Sequence, residues 1–278
     1  MVPELPEVET ICRALQERVA GEQVAEVTVL HPKVVQPRTP EDFAGKVTGC
    51  LLSQIKRRGK YLLLELERQG ERAGLLVVHL RMTGQLHWVT AKDTPLMPHT
   101  HVLLHMASGK QLRYVDTRRF GKVRYQEDIA EDPTLVALGP EPFDPLYTGE
   151  ELWRRCQRHS GAIKGVLLRQ DIIAGLGNIY ADEALFLAGI HPKRSARDLT
   201  EDEAVNLLHH IRVVLEESIN YKGSSMRDYC NIDGVKGSYQ EHWRVYGQKG
   251  KPCPLCGTPL ERITVQGRGS HFCPVCQR

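Results

Sequence analysis

Four cysteines in the last 26 residues, Cys253, Cys256, Cys273 and Cys276, are spaced C-x2-C-x16-C-x2-C. Zinc asks for four thiolates about 2.3 Å away in a tetrahedron, and two C-x2-C knuckles brought together by a β-hairpin supply that set. Protein atoms fill every coordination position, so the pattern predicts one structural Zn2+ and no catalytic metal. The turn it would hold is VQGRGSH, with Arg268 at the tip. At the other end the chain opens MVPELPEVET. Pro3 and Pro6 suit a helix entry, the acidic Glu4, Glu7 and Glu9 complement a helix dipole, and the same stretch sets a carboxylate beside a chain terminus. A third stretch, IIAGLGNIYADEAL, places Gly175 and Gly177 before Asn178 at the start of a helix. Backbone N–H groups and an amide there suit a phosphate, although Gly followed by Asn is also an ordinary helix cap.

The surroundings narrow the class. A chain of 278 residues, 41% of them hydrophobic, has room for two domains with real cores. No run approaches the roughly 18 apolar residues of a membrane span, since LLVVHL is broken by His79 and then Arg81. The N-terminus lacks the basic and then apolar order of a secretory signal, so the expectation is a soluble, cytoplasmic protein without a membrane partner. A reducing compartment disfavours disulfides. Cys12, Cys50, Cys156 and Cys230 are therefore expected as buried or loop thiols. Of the net charge of +3, residues 222–278 hold nine Lys or Arg against four Asp or Glu, which leaves −2 for the remainder. With SQIKRRGK (53 to 60) and DTRRFGK (116 to 122), that basic end is compatible with a polyanion partner, though single basic turns are common on any soluble protein.

The elements that would position these groups fall into two styles. Val8, Ile11, Cys12, Leu15 and Val19 recur at helical steps, and Gly21 follows as a stop. From there to about residue 126 most of the chain reads as strand: VAEVTVLH, YLLLELE, GLLVVHLRM, HVLLHM and QLRYVD are short and β-branched or alternating, with RRGK and ASGK as turns. That pattern suggests a β-sandwich or barrel carrying the N-terminal helix. EDPTLVALGPEPFDPLYTGE, rich in proline, reads as a linker. ELWRRCQRH, AIKGVLLR, ADEALFLAGI and TEDEAVNLLHHIRVVLEESI then have helical apolar faces, the last opened by a Thr200–Glu203 capping box. KGSSMRDYCNIDGVKGSY reads as a mobile functional loop.

In combination, PELPEVET, RRGKYL, DTRRFG, GLGNIYADE and the finger ending GRGSHFCPVCQR resemble the bacterial formamidopyrimidine-DNA glycosylases, from Pro3 to Arg278 and in family order. The resemblance implies an α+β multidomain fold: an N-terminal β-sandwich with a flanking helix (1–132), a linker (133–148), a helix-two-turn-helix domain with a lesion loop (149–240) and a β-hairpin zinc finger (241–278). It implies a monomer that takes damaged double-stranded DNA in the cleft between domains, needs no nucleotide cofactor, and excises 8-oxoguanine and formamidopyrimidines before cleaving the strand. Carried over, the nucleophile is the Pro3 nitrogen, with Glu4 as acid/base and Glu7 supporting it. A terminal amine titrates near 7.7 to 8.0 against about 10.4 for lysine, which makes it some few hundred-fold more available at neutral pH. Lys60 matches the lysine that faces the lesion, and Arg268 the arginine that grips the flanking phosphates. Met82, Arg118 and Phe120 match the trio that fills the void left by a flipped base. His99, Arg118, Lys164 and Asn178 match phosphate contacts. Ser160 occupies a position usually basic in the family, where Arg158 could substitute. The loop from Gly223 to Tyr239, including Tyr229, corresponds to the lid over the flipped base.

One feature of the chain departs from the family pattern: Val2 stands between the initiator Met and Pro3. While any residue precedes Pro3 its nitrogen is an amide without a basic lone pair. Either Met1 and Val2 are removed, or the Val2 amine serves instead, or the start as written is not the true one. Two alternatives to the purine-excising reading are an endonuclease VIII-like enzyme for oxidised pyrimidines and a catalytically blocked, lesion-binding zinc-finger protein.

Overall fold

A capping box formed by Glu4 and Glu7 opens helix α1 (Leu5–Arg18), and Val8, Ile11, Cys12 and Leu15 form its buried stripe. These details come from a computed structural model that describes residues 3–90, 94–225, 232 and 234–278. Contacts divide the chain into one unit of residues 1–136 with 222–237 and a second of 137–221 with 238–278.

The first unit is a β-sandwich. One antiparallel sheet has the order β2 (Leu51–Arg58), β3 (Tyr61–Arg68), β4 (Glu71–His79), β8 (Lys122–Gln126); the other has β1 (Val24–Val29), β6 (Thr100–Met106), β7 (Gln111–Asp116), β5 (Gly84–Val89). Leu62, Leu64, Leu66, Leu76 and Val78 of the first sheet and Leu86, Val102, Leu104, Leu112 and Tyr114 of the second belong to one core, joined by the apolar stripe of α1. Short helices α2 (Pro40–Val47), capped by Thr39, and α3 (Pro133–Val136) complete the unit. Strands β2, β5 and β8 go beyond the sequence reading. In β2 a bulge between Leu52 and Gln54 breaks the alternation, and its outer residues supply the basic cluster that masks a strand. The segment 222–237 is moored to this unit where it is described: the Ser224 N–H donates to Glu7 Oε1, and the Trp88 N–H donates to the carbonyl of Ile232, itself a core residue.

The second unit is helical. It contains α4 (Gly149–Gln157), α5 (Ile163–Leu167), α6 (Asn178–Leu187) and α7 (Glu201–Asn220), followed by the hairpin β9 (Glu261–Val265) and β10 (Arg268–Phe272). The Thr200–Glu203 box opens α7 as the sequence predicts. Helices α4 and α6 pack on α7, and β10 packs on α6. Contact therefore groups the finger with the helices. Residues 137–148 also belong here: the Arg212 guanidinium donates to the carbonyls of Pro142, Asp144 and Tyr147, and the buried Tyr147 hydroxyl donates to Ile172. Among the described residues no helix is long and apolar enough to cross a membrane.

Candidate functional site

The start of α1 is held from both sides by one carboxylate. Glu7 Oε2 accepts the backbone N–H of Glu4 at 2.9 Å, and Glu7 Oε1 accepts that of Ser224 at 2.7 Å. Glu7 is fully enclosed and Glu4 only 4% exposed, so a carboxyl group sits at a fixed place next to buried Pro3. Val2 lies outside the described residues. Lys60 occupies the second position of the two-residue β2–β3 turn, after Gly59 at φ +55°, the arrangement in which glycine leads a primed hairpin turn. Close by, His79 meets the Tyr61 ring edge-on at 4.4 Å between centroids. Burial first, then the charges of Arg81, Lys60 and Arg124, push the His79 imidazole down to about 3. It is neutral at physiological pH, and its Nδ1 accepts the N–H of Arg81 at 3.0 Å.

Met82, Arg118 and Phe120 come together although two loops carry them. Arg118 Nη1 lies 3.0 Å from Met82 Sδ, and the same guanidinium lies 4.6 Å from the centre of the Phe120 ring, which is 52% exposed. Arg81, His99 and Arg119 have φ of +54°, +65° and +59°, a backbone region that costs a side chain energy and concentrates at functional loops. His99 is exposed, and its carbonyl accepts the Asp116 N–H at 3.0 Å. None of these backbone features has a sequence signature.

In the second unit Asn178 is the first residue of α6, and its amide donates to the Gly269 carbonyl at 3.2 Å while its Oδ1 is enclosed and has no hydrogen bond among the described residues. Lys164 departs from the expectation of a phosphate contact. Its side chain is completely buried, with Nζ 2.6 Å from Asp182 Oδ1 and 2.7 Å from the Gly269 carbonyl. The charge is neutralised inside the unit and the side chain anchors the hairpin. Ser160 and Arg158 are exposed after α4. Arg268 is exposed as the first residue of β10; the tip itself is Gln266–Gly267, at φ +46° and +75°. The four finger thiolates lie within 4.8 Å of one another, with Cys253–Cys276 at 3.9 Å and Cys256–Cys273 at 3.5 Å. A tetrahedron with arms of 2.3 Å has edges of about 3.8 Å, so the set fits one zinc ion.

Three family models match successive parts of the chain: the formamidopyrimidine-DNA glycosylase N-terminal domain over residues 2–123, its H2TH domain over 138–230, and the zinc finger found in FPG and IleRS over 250–278. The formamidopyrimidine-DNA glycosylase of Desulforamulus reducens is 44% identical over 281 residues, covering all of this chain and 99% of its own length. The chain belongs to the formamidopyrimidine-DNA glycosylase family. Among solved structures, the complex of Lactococcus lactis Fpg with DNA containing an abasic site has a TM-score of 0.90 at 36% identity, covering 99% of each chain. A Lactococcus lactis FPG mutant in complex with DNA containing Fapy-dG gives 0.90 at 36%, covering 99% of this chain and all of that one. This family member thus has a DNA glycosylase fold with a structural zinc finger.

Several residues that shape this glycosylase's site escape sequence reading. In GLGNIYADE the last two residues are tethers. Asp182 Oδ2 accepts the His271 N–H at 2.9 Å, and Glu183 accepts three backbone N–H groups, from Arg244, Val245 and Tyr246, at 2.8 to 2.9 Å. Burial outweighs those three donors and raises the Glu183 carboxyl above its ordinary range. Gly165 in α5 leaves room for the Gln266 side chain, which any Cβ there would strike. Cys12, Cys50 and Cys156 are buried thiols as expected, whereas Cys230 and the lid residue Tyr229 lie outside the described residues.

Proposed function

We propose that this DNA glycosylase removes 8-oxoguanine and formamidopyrimidines from double-stranded DNA and then cleaves the strand at the abasic site. The nucleophile is the amine that begins the mature chain, at Pro3 or Val2. It attacks the sugar C1′, the bond from C1′ to the base breaks, and the base leaves with its electron pair and gains a proton. Glu4 protonates the ring oxygen as the sugar opens to a Schiff base, which makes the C2′ proton acidic enough for elimination of the 3′-phosphate. A second elimination releases the 5′-phosphate, with Lys60 and Arg268 beside the leaving groups. Arginine suits phosphate because its planar fork meets two oxygens together. Met82, Arg118 and Phe120 fill the space of the extruded nucleotide. His99, Asn178 and the N–H groups that open α6 contact phosphates, with Arg158 beside Ser160. Tyr229 belongs to the lid. The zinc ion holds the hairpin that presents Arg268 and takes no part at the sugar. A single chain carries every group named, so a cytoplasmic monomer suffices, without a nucleotide cofactor.

The observation that best supports this reading is the fixed carboxyl of Glu4 at the residue after Pro3, with Glu7 immobilising its backbone. The assembled trio favours purine excision over the endonuclease VIII-like alternative. The test is to incubate the protein with an 8-oxoguanine:cytosine duplex, add borohydride, and map the adduct by mass spectrometry. An adduct on Pro3 or Val2 is expected. Tight binding without an adduct, where a control enzyme is trapped normally, would reject Schiff-base chemistry in favour of a blocked lesion binder.

A further inference from the structure

Asp116 closes strand β7 at the head of the DTRRFG motif, and its buried carboxylate is met by donors from two different loops and from Tyr114 of its own strand. Oδ1 accepts the Thr83 hydroxyl and the Arg118 N–H, the latter at 3.1 Å; Oδ2 accepts the Gly121 N–H at 2.8 Å and the Tyr114 hydroxyl at 3.1 Å. Thr83 adds a second tie, since its oxygen also accepts the Arg118 N–H, at 3.2 Å. The backbone of Asp116 extends the clamp to a third loop: its N–H donates to the carbonyl of His99 at 3.0 Å, and its carbonyl accepts His101 Nε2 at 2.8 Å. Burial by itself would raise the carboxyl; the Thr83 hydroxyl, the two N–H groups and Tyr114 together hold it below its ordinary value, so it is an anion at neutral pH.

The surrounding packing leaves little slack. A Cβ on Gly121 would strike the Tyr114 hydroxyl, and one on Gly84 would strike the Leu80 carbonyl. Met82 adjoins Thr83, Arg118 and Phe120 lie between Asp116 and Gly121, and each of the three loops carries a side-chain-bearing residue at positive φ. Loops under such strain hold their shape only where the surroundings dictate it.

We propose that Thr83 and Asp116 form a positioning pair that locks the Met82 loop to the Arg118–Phe120 loop, so that the three side chains enter duplex DNA as one preassembled wedge. The pair touches no reacting atom. It acts by removing the cost of ordering two loops when the base is extruded, a cost that arises only when there is a stack to fill. The inference rests on the wedge reading of Met82, Arg118 and Phe120 given above.

The test compares Thr83→Val, which keeps shape and loses the hydroxyl, with Thr83→Ser, which keeps the hydroxyl. Two single-turnover rates are measured for each: excision from an 8-oxoguanine:cytosine duplex, and cleavage of a single-stranded oligonucleotide with a preformed abasic site, where no stack needs filling. Thr83→Val is expected to lose about tenfold on the duplex, the scale of a misplaced positioning group, and less than about twofold on the single strand; Thr83→Ser should restore the duplex rate. Equal losses on both substrates would show a general structural role and overturn the proposal, as would an unchanged duplex rate. Phe120→Ala in the duplex assay separates the two layers of argument. If Phe120→Ala loses excision while Thr83→Val does not, the clamp alone fails; if Phe120→Ala excises normally, the wedge reading fails and the clamp with it.

Discussion

Lys164→Met should destabilise the helical unit by several kcal/mol, although lysine substitutions at a protein surface usually cost almost nothing. The Nζ and Oδ1 atoms of Lys164 and Asp182 are 2.6 Å apart and neither side chain is exposed at all. At an effective dielectric near 20, two unit charges at that distance attract by about 6 kcal/mol. Withdrawing each ion from water costs several kcal/mol, so the pair as a whole contributes little net stability. Removing one partner is different, because the other charge then stays buried and uncompensated at a cost of about 3–5 kcal/mol. In Lys164→Met the Asp182 carboxylate keeps, among the described residues, its contacts to His271. The Gly269 carbonyl still has the Asn178 amide, so loss of the lysine hydrogen bond there is a minor addition. Asp182→Asn retains an acceptor for the His271 N–H and strands the ammonium instead. The double variant strands neither charge, and should be more stable than the sum of the single losses predicts by at least about 2 kcal/mol. Urea unfolding read by Trp153 and Trp243 fluorescence in a Trp88→Phe background reports on the second unit. Single losses under about 1 kcal/mol, or strictly additive ones, would refute the buried-pair account and return Lys164 to the phosphate-contact role expected from the family pattern.

Three further outcomes follow from other parts of the chain. Glu4→Gln should bind an 8-oxoguanine duplex nearly as well as the parent and excise nothing in a gel-based nicking assay; an active variant removes Glu4 from the proton-transfer role. Cys273→Ser should release the zinc ion and abolish DNA binding, measured by metal analysis and fluorescence anisotropy, and unchanged affinity would show that the finger is dispensable. His79, held down to about 3 against an ordinary 6.5, should show flat imidazole NMR shifts from pH 8 to 5. Its folded-state pKa lies below the unfolded one, so its contribution to stability is complete above 6.5 and declines as the pH falls toward about 3; His79→Gln should flatten that part of the stability curve. A His79 signal titrating near 6.5 would contradict the burial argument.

The features legible in the sequence were those whose physics is local. Cys253 to Cys276 announce themselves by spacing, since each knuckle needs only three neighbouring bonds to place two thiolates. Thr200 and Glu203 close a box within one helical turn, and α1 shows its stripe at steps of three and four. The surroundings of charged residues are the least legible, because a sequence gives a formal charge and not what faces it. Lys164 matches a phosphate contact in the family pattern, yet the carbonyl that accepts its hydrogen bond is 105 residues away. Asp116 has no role legible in the basic cluster DTRRFGK, yet three donors from two loops and the Tyr114 hydroxyl of its own strand converge on it. Glu7 looked like a dipole complement to α1, and does serve its cap, but its second oxygen is taken by Ser224, 217 positions downstream. In each case a buried carboxylate or ammonium ties together groups from separate segments: Glu7 takes the Ser224 N–H, Lys164 reaches the Gly269 carbonyl, and Asp116 joins the Thr83 hydroxyl to the Arg118 and Gly121 N–H groups, so that polar groups withdrawn from water are satisfied. The hardest contacts to read from sequence are therefore those of the buried carboxylates: Glu7 accepts the Glu4 N–H, Asp116 accepts the Arg118 N–H, and Asp182 pairs with Lys164, so each directly fixes a residue that the family pattern marks out while its own role depends on a fold that no local spacing encodes.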